Sequence, residues 1–303
     1  MNKRINWSNS GVGREWAALA AILLALLLSG CSAGEKTVVV GSKNFTENVF
    51  LAELIAQQIE RTTDYGVQRR FNLGSTFLCH QALVGGQIDV YPEYSGTALT
   101  AILKLPVEGD RKAVLARVSS AYAEQFGAEW IEPFGFNNTF AVLVRGDEPE
   151  SLATISDLAA AADRYVLGFN FEFAERGDGF PGMAEAYDLK FAQQPKTMDL
   201  NLVYQALGER QIDVAVGNST HGLIPRMGLR MLEDDQGYFP PYDAAAVVRV
   251  EALDSLPGLR LALESLSGAV GQERMQEINR RLDVEHDSVS EVASDSLDTM
   301  LGR

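Results

Sequence analysis

Two stretches of ten residues decide the fold, QALVGGQIDV at residues 81–90 and QALGERQIDV at residues 205–214. Seven of their ten positions are identical. Each copy lies downstream of an apolar stretch that ends in a glycine, and the distance from that glycine to the aspartate of the repeat is similar, 48 residues from Gly41 and 45 residues from Gly168. The sequence therefore predicts two halves built on one plan.

Short apolar stretches alternate with helical patterns in each half. The first half predicts strands at residues 37–41, 71–74 and 88–90, with helices between them. Asn44, followed by Glu47 three residues later, predicts a capping box at the start of the first helix. Helices that alternate with short strands indicate βαβ units and largely parallel sheets, so we expect an α/β fold.

The chain is expected to cross between the two halves twice, along two strands that form a hinge. We expect residues 31–140 to form the first part of lobe 1 and residues 141–238 to form lobe 2. Residues 239–303 would then supply the return crossover and C-terminal helices that pack on lobe 1. Ligands of open α/β sheets bind outside the carboxyl ends of the strands, so the predicted site is the cleft between the lobes.

The N-terminal residues have the features of a targeting signal. Three basic residues precede the apolar run 17–28, and the sequence LSGC follows at 28–31. The apolar run is shorter than the roughly 20 residues that a membrane-spanning helix needs, which predicts a secretory signal peptide at residues 1–30. LSGC resembles the bacterial lipobox, so we expect Cys31 to be lipidated and the protein to be anchored to a membrane outside the cytoplasm.

Composition excludes several classes of function. The 303 residues include 41 acidic and 26 basic side chains, a net charge of -15, and a protein this acidic is not expected to bind nucleic acid. The predicted signal carries +2, which leaves -17 on the remainder. Two cysteines and three scattered histidines show no metal-ligand spacing. We therefore predict neither a metal nor a cofactor.

Catalytic patterns are weak. Ser219 and His221 lie only two residues apart, whereas a nucleophile and its base usually come from different segments, and there is no Gly-x-Ser-x-Gly motif. Glu172 and Glu175 could pair, but acidic pairs arise freely in so acidic a chain. We predict that the protein is not an enzyme. An extracytoplasmic hydrolase that uses Ser219 or Glu172 remains the rival from another class.

Aromatic residues recur at positions that should face the cleft. Tyr91 and Tyr94 come at a predicted strand end, Phe140 and Tyr242 lie on the two crossovers, and Phe180 follows a glycine-rich loop. Several π faces that converge on one cleft suit a cation without hydrogen-bond donors, such as a quaternary ammonium group.

Polar residues beside these rings could hold the other end of such a ligand. Lys43, at a turn before a helix N-terminus, and Arg176 are candidates for binding a carboxylate. Asn218 can both donate and accept hydrogen bonds, which would suit a ligand with further polar groups.

Four ordered motifs carry a resemblance to a known family. They are GSKNFTE at 41–47, YPEYSGT at 91–97, GFNNTF at 135–140 and FPPY at 239–242. The sequence resembles the substrate-binding proteins of osmoprotectant ABC importers, the glycine betaine/choline/carnitine group. This resemblance implies a two-lobed periplasmic-binding-protein fold of type II-like architecture. It also implies a monomeric receptor that delivers its ligand to a permease with a cytoplasmic ATPase.

The resemblance also implies roles for individual residues. Tyr94 and Tyr242 match aromatic ligand contacts, with Tyr91 as an alternative, and Thr97 matches a polar contact. Lys43 matches the polar turn after the first strand, and Arg176 resembles the carboxylate partner in the second lobe.

Four positions depart from the pattern of the group. Phe140 and Phe180 stand where many relatives have tyrosine, Asn218 replaces an acidic or aromatic stretch, and Asp243 follows Tyr242 where a second tyrosine is common. Phenylalanine keeps the π face but loses the hydroxyl. The ligand could therefore be glycine betaine, choline or carnitine, or another small zwitterion such as ergothioneine or an amino acid. A polyamine would gain nothing from Arg176.

Overall fold

The computed structural model describes residues 36–300, which form an α/β architecture with two five-stranded sheets. The predicted signal peptide at 1–30 and the predicted lipidation at Cys31 lie outside the described residues. The strands are β1 Thr37–Gly41, β2 Gly66–Arg70, β3 Val90–Tyr94, β4 Ala128–Trp130, β5 Phe140–Arg145, β6 Leu167–Phe169, β7 Lys196–Thr197, β8 Val214–Asn218, β9 Leu229–Met231 and β10 Ala244–Arg249.

The helices surround these sheets, and α3 continues as a π-helical turn at Ala98–Ile102. They are α1 Thr46–Thr62, α2 Thr76–Val84, α3 Ser95–Thr97, α4 Arg111–Phe126, α5 Ile155–Ala159, α6 Phe171–Glu175, α7 Phe180–Ala186, α8 Leu200–Gly208, α9 Leu223–Arg226, α10 Val250–Ser255, α11 Leu259–Glu264, α12 Gln272–Asp283 and α13 Val289–Met300. Between residues 36 and 300, no helix has the length and apolar character that a membrane span requires.

Both sheets have the same topology. The sheet of lobe 1 has the order β2-β1-β3-β10-β4, and the sheet of lobe 2 has the order β7-β6-β8-β5-β9. The first three strands of each sheet are parallel, and the fourth runs antiparallel to both of its neighbours. Each fourth strand arrives from the other lobe. The predicted α/β fold with two lobes on one plan is confirmed.

The repeated sequence has the same structural role in each lobe. Asp89 Oδ2 accepts a hydrogen bond from the Val39 N–H at 2.8 Å, and Asp213 Oδ2 accepts one from the Val166 N–H at 3.0 Å. Each aspartate thereby joins the start of a central strand to the strand beside it. The shared aspartate therefore has the same structural role in both lobes.

The two glycine turns are equivalent as well. A Cβ atom on Gly41 would lie 2.6 Å from Ile88 Cδ1, and one on Gly168 would lie 2.6 Å from Ile212 Cδ1. A side chain at either position would crowd the isoleucine of the repeat, which packs directly against the strand.

The two crossovers lie side by side. The Asn138 N–H donates to the Tyr242 carbonyl at 3.1 Å, and the Tyr242 N–H donates to Asn137 Oδ1 at 2.7 Å. Asn137 and Asp243 also form an antiparallel bridge. The lobes are thus connected through a pair of hydrogen-bonded segments.

Three local predictions were wrong, and one of them is the strand predicted at 88–90, which lies at Val90–Tyr94. Helix α1 begins at Thr46 with Phe45 as its N-cap, and no side chain caps it, so Asn44 and Glu47 form no capping box. Strand β2 lies at Gly66–Arg70 instead of 71–74. It is an edge strand with exposed polar residues, so it lacks the apolar pattern on which the prediction relied.

The C-terminal helix α13 packs on α1. Gln57 Nε2 donates to the Ser290 carbonyl at 2.9 Å, and Arg61 Nη1 donates to Asp298 Oδ1 at 2.6 Å. The tail therefore contacts the helix that follows the first strand of lobe 1.

Candidate functional site

A cavity of about 1040 Å³ lies between the lobes. Its lining comes from the segments that follow β1, β3, β6 and β8 and from both crossovers. Seven predicted site residues line it: Lys43, Tyr94, Thr97, Phe140, Arg176, Asn218 and Tyr242. The structure therefore brings together residues that lie up to about 200 positions apart in the sequence.

Two predicted site residues are not part of this lining. Tyr91 is fully buried in the core on the other face of β3, with Tyr122 and Cys79, and its hydroxyl donates to Glu93 Oε2 at 3.1 Å. Its position follows from the alternation of side chains along a strand, which separates Tyr91 from Tyr94. Phe180 packs against Phe169, with 5.0 Å between the ring centroids.

Phe140 and Tyr242 are two adjacent aromatic residues of the cavity lining. Their ring centroids are 5.3 Å apart and their planes meet at 78°. The ring of Phe140 is supported from behind by Phe173 at 4.7 Å and by Phe239 at 5.6 Å. The two rings therefore have fixed orientations, and Phe140 owes its position to β5, whose first residue it is.

Arg176 lies over both rings. Its guanidinium carbon is 5.3 Å from the ring centroid of Phe140 and 5.9 Å from that of Tyr242. Nε and Nη2 donate to the two carboxylate oxygens of Asp178 at 2.8 and 2.5 Å. Burial disfavours the charge of Asp178, but the Arg176 guanidinium together with the Tyr242 and Thr100 hydroxyls holds the pKa of this carboxyl below its ordinary value.

Lys43 is also paired. Its Nζ lies 2.5 Å from Glu93 Oε1, and both side chains are buried. The ammonium group is 5.1 Å from the ring centroid of Tyr94. The sequence had suggested Lys43 as a free partner for a ligand carboxylate, but the fold gives it an internal carboxylate partner.

Glu47 is a buried carboxylate on the cavity that the sequence analysis did not select as a site residue. Oε1 accepts hydrogen bonds from Tyr94 and Asn138, both at 2.8 Å. Oε2 accepts from Thr220 at 2.5 Å and from Asn279 at 2.8 Å. Burial raises the pKa of Glu47 even though all four bonds favour its charged form.

Exposed apolar side chains form the rim of the cavity and were also missed. Phe171 is 59% exposed and Phe77 is 46% exposed, and both line the cavity. The similarity of the two halves does indicate Phe171, because Phe171 follows the glycine turn of lobe 2 much as Phe45 follows the glycine turn of lobe 1.

The geometry does not support a serine nucleophile activated by histidine. Ser219 Oγ donates to the Asn137 carbonyl at 3.4 Å, whereas the His221 ring bonds Asn201 Oδ1 and the Leu223 N–H, both at 3.2 Å. Burial lowers the pKa of His221 to about 4. Within residues 36–300, these two side chains form no hydrogen bond with each other.

Known proteins are similar to this chain over nearly its whole length. A carnitine transport binding protein of Listeria monocytogenes is 34% identical over 297 residues, which cover 94% of this chain and 96% of that protein. An ergothioneine transport permease/ergothioneine binding protein of Helicobacter pylori (strain G27) is 32% identical over 296 residues, or 95% of this chain. The match covers 53% of that longer protein.

The fold is shared with solved structures. A crystal structure described as a glycine betaine/carnitine/choline ABC transporter aligns with a TM-score of 0.74 and 30% identity. The alignment covers 86% of this chain and 98% of the other. The family model of the substrate binding domain of ABC-type glycine betaine transport systems matches residues 36–299. The chain therefore belongs to this family of substrate-binding proteins.

Proposed function

We propose that this chain is the extracytoplasmic receptor of an ABC importer and that it binds a quaternary ammonium compound. The rings of Tyr94, Phe140 and Tyr242 would form an aromatic cage. The observation that carries the proposal is that these three rings, from separate segments of the chain, line one cavity. Several π faces on one cavity suit a cation that cannot donate hydrogen bonds.

The polar end of the ligand would lie among Lys43, Thr97, Arg176 and Asn218, which line the same cavity. Asn218 is half-buried, and its side chain can offer a donor and an acceptor. No covalent step is proposed, since Ser219 and His221 are bonded to other groups. A Ser219→Ala variant should bind the ligand as the unmodified protein does.

The remaining organisation is proposed from the sequence together with the two sheets. Residues 1–30 would be removed as a signal peptide, and Cys31 would carry the lipid anchor. The lobes would comprise residues 31–140 with 239–303, and residues 141–238. The mature protein would act as a monomer and would deliver its ligand to a permease with a cytoplasmic ATPase.

Titration calorimetry tests the ligand class. The purified chain without residues 1–31 should bind at least one of glycine betaine, choline, carnitine and ergothioneine with saturation, and it should not bind proline. Micromolar affinity corresponds to about 8 kcal/mol, of which each desolvated cation–π contact can supply about 2 kcal/mol. Binding of proline alone would contradict the aromatic cage and would favour an amino-acid receptor.

A matched pair of substitutions tests the cage itself. Phe140→Leu removes a π face from the cavity, whereas Phe180→Leu removes an equally half-buried ring that lies outside the lining. Phe140→Leu should weaken binding by about 0.5–2 kcal/mol, the range for a cation–π contact. Phe180→Leu should leave affinity nearly unchanged, and equal losses would contradict the role of Phe140.

A further inference from the structure

Four polar side chains form one stripe along helix α12. The helix repeats every 3.6 residues, so positions that are three or four residues apart share a face, and the stripe consists of Gln272, Gln276, Asn279 and Asp283. At one end, Gln272 Oε1 accepts a hydrogen bond from the Asn137 N–H at 3.1 Å. At the other end, Asp283 Oδ2 lies 3.8 Å from His221 Nε2. The stripe therefore runs from the first crossover to lobe 2.

The middle of the stripe is bonded to the main chain of lobe 2. Gln276 Nε2 donates to the Ser219 carbonyl at 3.2 Å, and Asn279 Nδ2 donates to the Thr220 carbonyl at 2.8 Å. Both carbonyls belong to the turn at residues 219–222, which follows β8, the central strand of the sheet in lobe 2. Helix α12 thus holds the end of that strand through two side-chain amides.

The same turn lies directly on the backbone of α12. A Cβ atom on Gly222 would lie 2.5 Å from both the Cα and the backbone N of Arg280. Gly222 has a φ of -64°, which any residue can adopt, so its backbone conformation does not require glycine. The close approach of the two main chains does, because a methyl group would have to push the turn away from the helix.

Helix α12 is bonded to lobe 1 as well. Asn279 Nδ2 also donates to Glu47 Oε2 at 2.8 Å, and the Thr220 hydroxyl donates to the same oxygen. Glu47, Thr220 and Asn279 are all less than 5% exposed. One buried carboxylate oxygen therefore joins α1, α12 and the turn of lobe 2, and separation of the lobes at this point would break its bond to Thr220.

We propose that the polar stripe of α12 is a latch that holds lobe 2 against lobe 1 beside the crossovers, and that it acts without a ligand. The crossovers connect the lobes covalently, whereas the stripe bonds the turn at residues 219–222 in one relative orientation. Opening must break the bonds of Gln276 and Asn279 to this turn and must separate Gly222 from α12. The latch therefore sets the ratio of open to closed molecules before any ligand enters.

The distance between two spin labels, one on each lobe, measures this ratio in the ligand-free protein. Lys112→Cys in α4 and Glu185→Cys in α7 place the labels at exposed positions of lobe 1 and lobe 2. In the purified chain without residues 1–31, the remaining cysteine is Cys79, which is fully buried and should not react. Pulsed electron paramagnetic resonance then gives the populations of the short and long distances. The measurement needs no ligand, so its result does not depend on the proposed function.

Two substitutions outside the lining of the cavity weaken the latch. Gln276→Leu removes one hydrogen bond and should raise the ratio of open to closed molecules by about two- to tenfold, the range for one such bond. Gly222→Ala should raise it further. Glu273→Gln, at an exposed position of the same helix, and Gly271→Ala, where nothing lies within 4 Å of the added Cβ, are the matched controls and should leave the ratio unchanged.

Urea denaturation of the same variants separates a latch from a merely structural contact. If Gln276→Leu lowers stability but leaves the distance distribution as it is in the parent chain, the proposal is overturned. A shift toward shorter distances would overturn it as well. Gln276→Leu decides the question even if Gly222→Ala fails to fold, because Gln276 is half-buried and its loss removes a single side-chain bond.

Discussion

The hydroxyl group of Tyr94 donates a 2.8 Å hydrogen bond to Glu47, so a buried carboxylate from helix α1 fixes one ring of the aromatic cage. The same carboxylate accepts from Asn138 on the crossover, from Thr220 in lobe 2 and from Asn279 in α12. The orientation of Tyr94 is thereby coupled to three other parts of the molecule.

Replacing this carboxylate by an amide should be costly. Glu47→Gln places an N–H₂ group where four donors now converge, so at least one buried donor loses its acceptor. We expect the free energy of unfolding to fall by about 1–3 kcal/mol, measured by urea denaturation, and ligand affinity to fall as Tyr94 loses its support. Glu60→Gln, at an exposed position on the same helix, should change stability by less than about 0.5 kcal/mol. Similar losses in the two variants would contradict the role of Glu47.

Gly96→Ala should disturb the cage without altering any aromatic residue. A Cβ atom on Gly96 would lie 2.7 Å from the Pro241 carbonyl oxygen and 2.8 Å from Tyr242 Cδ1. The crossover backbone cannot move away from this Cβ atom without a cost in free energy. We therefore expect a loss of about 1–3 kcal/mol in stability together with weaker ligand binding. Calorimetry and denaturation would measure both effects. At Gly109 nothing lies within 4 Å of such a Cβ, and Gly109→Ala should retain affinity.

The two aspartates of the repeat should act independently of each other. Asp89 Oδ1 accepts from Arg249 Nη2 at 2.9 Å, and Asp213 Oδ1 accepts from Arg145 Nη2 at 3.1 Å, in addition to their backbone bonds. Asp89→Asn and Asp213→Asn should each lower the free energy of unfolding by about 1.5–3 kcal/mol, the range for hydrogen bonds to charged groups. Because they lie in different sheets, the losses in the double variant should add to within about 0.5 kcal/mol. A large interaction term would contradict this independence.

His221 should make the protein sensitive to acid. Burial lowers its pKa from 6.5 to about 4, so between these values the unfolded chain binds the proton more readily than the folded one. Stability should therefore fall as the pH is lowered from 6.5 to 4, with a contribution of about 3 kcal/mol from this residue. His221→Gln should show a smaller loss over the same interval in denaturation curves taken at several pH values. Parallel profiles would contradict the assignment.

The repeat predicted the fold because its identical residues are those with equivalent contacts. Asp89 and Asp213 bond the neighbouring strand, and Ile88 and Ile212 pack on the two glycines, so the pattern was visible before any strand was placed. Strand β2 was misplaced because its exposed edge position imposes no apolar alternation.

The site could be predicted less completely than the fold, because the pairing of its side chains depends on the completed fold. Lys43 and Glu93 are 50 positions apart, and nothing in their local sequence indicates that they meet. The exclusion of Tyr91 from the cavity could have been predicted. Successive side chains of a strand point to opposite faces of the sheet, so Tyr91 and Tyr94, which are three positions apart, lie on opposite faces of β3. To predict Phe171 as a cavity residue would have required an alignment of the two halves that extends beyond the ten residues of the repeat.

The paired crossovers have a mechanical consequence. Within residues 36–300 the chain passes between the lobes along two adjacent segments, joined through Asn137, Asn138 and Tyr242. We expect the lobes to turn about that line, because two connections that are bonded to each other hinder sliding along it. Because Phe140 and Tyr242 belong to these segments, a ligand held by them would sit at the pivot. When the lobes turn about this axis, the rim residues Phe77 and Phe171 would therefore move further than the residues that contact the ligand.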